Sequence, residues 1–120
     1  MPRADHERIQ DALEYARKAV QAARAEGPDA IRASDLKLHG LVRLLELVGE
    51  ALSGVLAPLR DGHPQIPWRE AMAVRNKLIH AVHEVDFRIV RDTITLRLPP
   101  LIVELERALT GKQPSGGRPS

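Results

Sequence analysis

The chain has 120 residues, 43% of them hydrophobic and 28% charged, with 18 basic side chains against 16 acidic ones. That is the size of one domain and the composition of a folded globular protein, so wholesale disorder is excluded. The absence of cysteine excludes disulfides, thiolate-ligated zinc, iron–sulfur clusters and thiol nucleophiles. No run of about 18 apolar residues occurs, which excludes a membrane-spanning helix. Met1 to Gln10 is charged and lacks the apolar stretch of a signal peptide, so a cytoplasmic protein is expected. Tyr15, Trp68 and Phe87 are the only aromatics, too few for the stacking platforms that hold single-stranded nucleic acid. The net charge of +2 comes from Lys112 and Arg118 in an acid-free tail. A neutral body argues against tight nonspecific coating of DNA and leaves room for a local basic site.

The pattern predicts an all-α chain, with only weak strand-like alternation near Thr93 to Leu98. From about Asp5 to Glu26, Ile9, Leu13, Ala16, Val20 and Ala23 recur at helical spacing, and Gly27-Pro28 stops the run. Ser34 or Asp35 can cap a second helix, expected from Leu36 to Leu59. Its apolar set is Leu38, Leu41, Val42, Leu45, Val48, Leu52 and Val55, with a second stripe from Leu44, Leu47 and Ala51. A helix apolar over so much of its circumference should be central or packed against a second subunit. Gly49 and Gly54 weaken that helix unless close packing uses them.

Pro58 to Pro67 reads as a break, with a turn at Arg60 to Pro64 that leaves His63 in solvent. Pro67 suits the first turn of a helix running from Trp68 to Val85. Asp86 can cap the next helix, with Val85 and Val90 as a hydrophobic staple. Pro99-Pro100 should break or kink the chain. A last helix from about Pro99 to Thr110 carries Leu101, Ile102, Leu105 and Leu109 and stops at Gly111. Residues 1–111 form the expected domain. Residues 112–120 are low-complexity and are expected to be a disordered tail.

The helix from Trp68 carries the chemistry. At about 100° per residue, Ala71, Val74, Leu78, Ala81, Val82 and Val85 share a core-facing arc. Arg69, Met72, Asn76, His80 and His83 fall on the other side. Asn76 and His80 are four residues apart and therefore neighbours. Arg75 lies at the edge between the faces, long enough to bend toward a shared groove. An arginine fork can hold the non-bridging oxygens of a phosphodiester as charge develops. A histidine titrates near working pH and can act as base or acid. In RNA the 2′-OH is an internal nucleophile, so this set needs neither a metal nor a protein nucleophile. The same stripe is also what an ordinary solvated helix face looks like.

Ile66-Pro67-Trp68-Arg69-Glu70 followed by Arg75-Asn76-Lys77-Leu78-Ile79-His80 resembles the HepT-like branch of the HEPN superfamily. Leu45-Glu46-Leu47-Val48-Gly49-Glu50-Ala51 resembles that family's upstream helix signature. Val85-Asp86 and Leu98-Pro99-Pro100-Leu101 stand where the family has a Val-Asp cap and a Leu-Pro break. The likeness spans about Ser34 to Leu109. It implies an all-α, HEPN-like up-and-down bundle of four to five helices, assembled as a two-fold homodimer. It also implies a metal-independent endoribonuclease without a cofactor, acting as the toxin of a toxin–antitoxin pair. The partners it implies are RNA and a minimal nucleotidyltransferase antitoxin. Arg75 and His80 match the family's R-x4-H catalytic motif and Asn76 the polar residue within it, with Lys77 and His83 as further substrate-binding candidates. The fuller motif has a tyrosine two residues after the histidine, the site of adenylylation by the antitoxin. Here that position is Val82. The departure keeps open a second reading, a non-catalytic helical dimer that serves as a scaffold for the nucleotidyltransferase.

The remaining polar residues give weaker signals. His80 and His83 are spaced for a metal on one helix face, but no third ligand stands at a convincing position, so no metal site is expected. Lys77, Arg88, Arg91 and Arg97 could rim an RNA site. Glu84, Asp86 and Asp92 can equally neutralise them as ordinary surface pairs, and this second reading is favoured. Trp68, beginning a helix, is expected to anchor in the core rather than to stack on a base.

Overall fold

Residues 3–26, 35–73 and 87–111 are described by the computed structural model, and every regular element among them is helical. Helix α1 spans Arg3–Glu26. It buries Ile9, Ala12, Leu13, Ala16, Ala19, Val20 and Ala23, the spacing of one helix face. Four of those seven are alanines, which let a neighbouring backbone approach. The neighbour is α2, Asp35–Ser53, which forms with α1 the most extensive helix pair among the described residues. Helix α2 buries Leu38, Leu41, Val42, Leu45, Val48 and Leu52. Leu44 and Ala51 of its second stripe are half-buried against the same core. The broad apolar surface of α2 is therefore largely covered within one chain, where α2 is a central helix.

Helix α2 does not run to Leu59. It ends at Ser53, whose hydroxyl donates to the Glu50 carbonyl at 2.8 Å. The amides of Gly54 and Val55 then donate to Ala51 and Leu52 at 3.3 and 3.1 Å, winding the chain off the helix. Val55 stays buried, as its place in the apolar pattern requires. Leu56 is extended, and its N–H donates across the fold to Asp5 Oδ1 at 3.1 Å. The stretch expected as a break contains a short helix α3, Ala57–Gly62, with Pro58 in its first turn. Proline is tolerated there because that N–H has no helical partner to lose. At Gly54 a Cβ would come within 2.6 Å of Arg8 Nε. Arg8 reaches Asp5 Oδ1 at 3.5 Å, so this glycine makes room for the side chain that pairs with the buried Asp5.

Beyond Pro67 the chain is helical over residues 68–73. It is described again from α4, Phe87–Asp92, which starts directly after the expected cap position, Asp86. Asp86, its staple partner Val85 and the capping candidate Ser34 lie outside the described residues, and so does the tail 112–120. Val90 is buried.

The expected break at Pro99-Pro100 does not occur, nor does the strand-like stretch before it form a strand. Helix α4 passes into a π-helical turn, Thr93–Arg97, and that turn into α5, Leu98–Thr110. Asp92 and Leu98 both keep right-handed helical angles, and the Leu98 N–H reaches back to the Thr93 carbonyl. The physical reason lies in the prolines. Inside an α-helix their rings would collide with the carbonyls of Thr95 and Leu96, four residues earlier. A wider turn just before them relieves the collision while the helix continues. The hydroxyls of Thr93 and Thr95 donate to the carbonyls of Ile89 and Arg91 at 2.7 and 2.8 Å, a side-chain supplement to the altered backbone bonding. Ile94, Leu98, Leu101, Leu105 and Ala108 face the core, mainly against α1. Gly111 ends α5 with φ at 75°, its N–H returning to the Ala108 carbonyl at 3.3 Å. An L side chain is disfavoured in that left-handed conformation, so glycine is the residue for this stop.

Candidate functional site

Arg75, Asn76, Lys77, His80 and His83, together with Val82, lie outside the described residues. The structure describes the frame that launches their segment and the helix that follows it. Pro67 precedes the launch, and the Ala71 N–H donates to the Pro67 carbonyl at 2.9 Å as the first helical bond. Ile66, one residue earlier, is fully buried. The Ile66 N–H donates to the His63 carbonyl at 3.1 Å, and the Trp68 N–H donates to the Ile66 carbonyl at 2.8 Å. The Trp68 indole Nε1–H also donates to the His63 carbonyl, at 3.0 Å. Trp68 is half-buried and packed against the core. It is thus an anchor, with its one polar atom satisfied, as expected of a tryptophan beginning a helix.

His63 is not in solvent. It is buried at 6% exposure, a correction to its expected place in an exposed turn. The turn is real, but its carbonyl is the acceptor shared by Ile66 and Trp68, which draws the residue inward. Gln65 Nε2 lies 3.4 Å from His63 Nδ1, and the amide donates when the ring carries its proton on Nε2.

The faces of the launched helix follow the expected periodicity as far as they are described. Ala71 packs against the core, Arg69 and Glu70 are exposed, and Met72 is half-buried. Two cross-links hold this start to other elements. Glu70 Oε2 accepts from Arg97 Nη1 at 3.3 Å, tying the helix to the π turn. Gly49 of α2 faces the Ala71 backbone so closely that a Cβ there would lie 3.2 Å from the Ala71 carbonyl oxygen. The close packing that could justify a glycine in α2 is therefore present.

Of the expected surface pairings, Arg91 with Asp92 is present at 3.6 Å and Arg97 is paired with a different acid, Glu70, at 3.3 Å, while Lys77, Glu84 and Asp86 lie outside the described residues. Arg91 also stands 5.9 Å over the Phe87 ring. Sequence reasoning missed the Glu70–Arg97 pair and the buried His63. Nothing in local spacing links residues 27 positions apart, and a His-Pro turn reads as surface. Among the described residues no group of three acidic, histidine or cysteine side chains is placed to hold a metal ion, and no helix is long and apolar enough to cross a membrane.

Comparison with known proteins supplies the family. The chain is 39% identical over 67 residues to a protein named probable ribonuclease HepT from Thermococcus cleftensis, covering 56% of this chain and 61% of that one. It is 35% identical over 71 residues to a candidate RNase of Caldanaerobacter subterraneus subsp. tengcongensis, covering 59% of this chain and 63% of that one. A candidate RNase of Methanocaldococcus jannaschii is 31% identical over 111 residues, 91% of each chain. The chain thus spans less than two thirds of the length of the first two relatives and nearly all of the third. No solved structure matches it. The family model described as Ribonuclease HepT-like matches residues 9–108, from Ile9 in α1 to Ala108 in α5 and with the segment from Trp68 to Asp86 inside it, and the chain belongs to the HepT-like ribonuclease family.

Proposed function

We propose that the protein is a metal-independent endoribonuclease, the toxin of a type VII-like toxin–antitoxin system. The observation that carries this reading is membership of the HepT-like ribonuclease family over residues 9–108, in a chain that retains Arg75 and His80 at the spacing of the R-x4-H motif. In this reading His80 takes the proton from the RNA 2′-OH, or returns one to the leaving 5′-oxygen. The 2′-oxygen attacks the adjacent phosphorus, the bond to the 5′-oxygen breaks, and the products are a 2′,3′-cyclic phosphate end and a 5′-hydroxyl end. Arg75 holds the non-bridging oxygens as charge develops. Asn76 orients the phosphate or the imidazole, and Lys77 and His83 contact the RNA. Two copies of the chain form the cleft, residues 1–111 make up the domain, and a minimal nucleotidyltransferase is the antitoxin. The internal nucleophile is the chemical reason that no metal is required.

The test is cleavage of RNA in EDTA by the wild type and by His80→Ala. The wild type should cut, and His80→Ala should lose about 10²–10⁴-fold in rate, the usual contribution of a positioned acid or base. Equal cutting by both would overturn the assignment. Arg75→Ala should lower kcat more than it raises KM, because its interaction strengthens in the transition state.

One observation favours a second reading. Val82 stands where the family's fuller motif has the tyrosine that receives the antitoxin's modification. A helical dimer that binds the nucleotidyltransferase without cutting RNA would show no cleavage by either protein. It would co-purify with its partner and would not arrest growth when expressed alone.

A further inference from the structure

We propose that the groove between the end of α1 and the π turn, with the Leu96 side chain beside it, is a contact surface for a second copy of this chain. The dimer of the proposed function names no face, and this inference stands whether or not the chain cuts RNA. The groove is lined by Val20, Ala23 and Arg24 of α1 and by Ile94, Thr95 and Pro99, and its volume is about 120 Å³. Its apolar walls are fixed, since Val20, Ala23 and Ile94 are all buried. An apolar cavity of about 150 Å³ takes a benzene molecule, so this groove has room for one branched aliphatic side chain. Leu96 follows Thr95 directly, yet it stands out of the groove at 66% exposure. Pro100 and Val103 are also exposed and continue the same side of the helix at i+4 and i+7. An exposed apolar strip beside an open apolar groove marks a contact site.

A two-fold contact is self-complementary: one patch must carry both the part that inserts and the part that receives it. Here an aliphatic knob and an apolar socket adjoin, so two copies can exchange Leu96 reciprocally. The charges beside them fit the same arrangement. Arg24 lines the groove, is exposed, and pairs with no acid among the described residues. Asp92 lies one turn before Leu96 on the same side of the helix. Its side chain is 59% exposed and stands 3.6 Å from Arg91 Nε, a loose surface pair that costs little to exchange. With Leu96 of one copy in the groove of the other, Asp92 of the first comes beside Arg24 of the second, and the two-fold axis repeats the pair. Opposite charges at the two edges of the knob and socket then set the register of the contact.

Sedimentation equilibrium of the full chain reads the dissociation constant of the dimer. Leu96→Asp brings a charge into the socket and should raise that constant at least about 30-fold. Its urea midpoint should stay at the wild-type value, because the side chain is exposed in the single chain. Arg24→Glu and Asp92→Arg should each raise the constant about tenfold by setting like charges against each other, and the two together should restore it to within about threefold of wild type. Leu56→Ser is the control. Leu56 is also exposed, at 54%, but it is bonded to Asp5, about 20 Å along α1 from Val20, and its replacement should leave the constant unchanged. A monomeric wild type leaves the groove to another occupant and overturns the proposal. Leu96→Asp dimerising as tightly as wild type also overturns it, by placing the contact between copies on another face. So does a combined Arg24→Glu, Asp92→Arg variant that binds no tighter than its single parents. Cleavage by the wild type and by His80→Ala is read separately, and a failure there defeats the proposed catalysis without touching this contact.

Discussion

Asp5 shows how much of the fold rests on a single side chain. It is 1% exposed and sits near the start of α1, where a carboxylate could simply have faced water. Its Oδ1 accepts the N–H of Leu56, 51 residues away, and meets Arg8 at 3.5 Å. The bond closes the turn after α2 onto α1, at the point where the chain leaves one helix and begins α3. Asp5→Ala would strip the Leu56 amide of its acceptor at a part-buried bond and leave a gap where the buried carboxylate stood, and should destabilise the protein by about 1–3 kcal/mol. Urea unfolding measures this, and a variant as stable as wild type would show that the amide finds another partner. Exposed pairs at the same scale should matter far less. Arg3–Glu7, with side chains 93% and 58% exposed, is an i,i+4 surface pair whose removal should cost no more than a few tenths of a kcal/mol.

The helix from Phe87 to Thr110 is the element on which local and tertiary demands can be separated. Pro99 and Pro100 forbid an undistorted α-helix around Thr95 and Leu96, and the chain answers with one π turn instead of a break. The core does not require that turn. In an uninterrupted α-helix the buried positions Val90, Ile94, Leu98, Leu101, Leu105 and Ala108 would still share an arc of about 80°. Replacing both prolines by alanine should therefore let the turn close into α-helix and raise the urea midpoint. Each interior proline costs an α-helix up to about 3 kcal/mol, partly offset by the stiffness it gives the unfolded chain. An unchanged or lower midpoint would mean that contacts around the π turn hold the wider winding in place. Leu105, fully buried in α5, is the opposite case: Leu105→Ala should cost about 2–5 kcal/mol through lost packing and a residual cavity.

At the scale of the molecule, α1 and α2 build the broadest interface among the described residues, and α5 packs against α1. Some apolar side chains remain outside, among them Leu36, Leu96 and Val103 at 85%, 66% and 45% exposure. The two-fold dimer belongs to the proposed function, and sedimentation equilibrium tests it directly. The expected species has twice the 13.3 kDa mass of the chain; a monomer at the concentrations that cut RNA would remove the shared cleft from the mechanism.

Sequence alone determined the helical class, the faces of α1, α2 and α5, the stop at Gly111 and the anchoring of Trp68. These follow from a 3.6-residue period and from residue types whose preferences are local. It also singled out Arg75, Asn76 and His80, because hydrogen-bonding chemistry and motif spacing are properties of the chain itself. Only the tertiary structure decided that α2 ends at Ser53, that His63 is buried and that Asp5 is buried and accepts the Leu56 amide. Two of these involve a partner far away in sequence, Leu56 for Asp5 and Arg8 for the room at Gly54; the third, His63, is held by the Trp68 indole five residues on, a contact that only the folded turn creates. That the chain passes Pro99-Pro100 by a widened turn and continues as α5, packed against α1, was likewise visible only in the structure. Gly49 joins the two kinds of knowledge. Its cost to a helix was legible from the residue alone, and its use became visible only where the Ala71 carbonyl comes to rest against it.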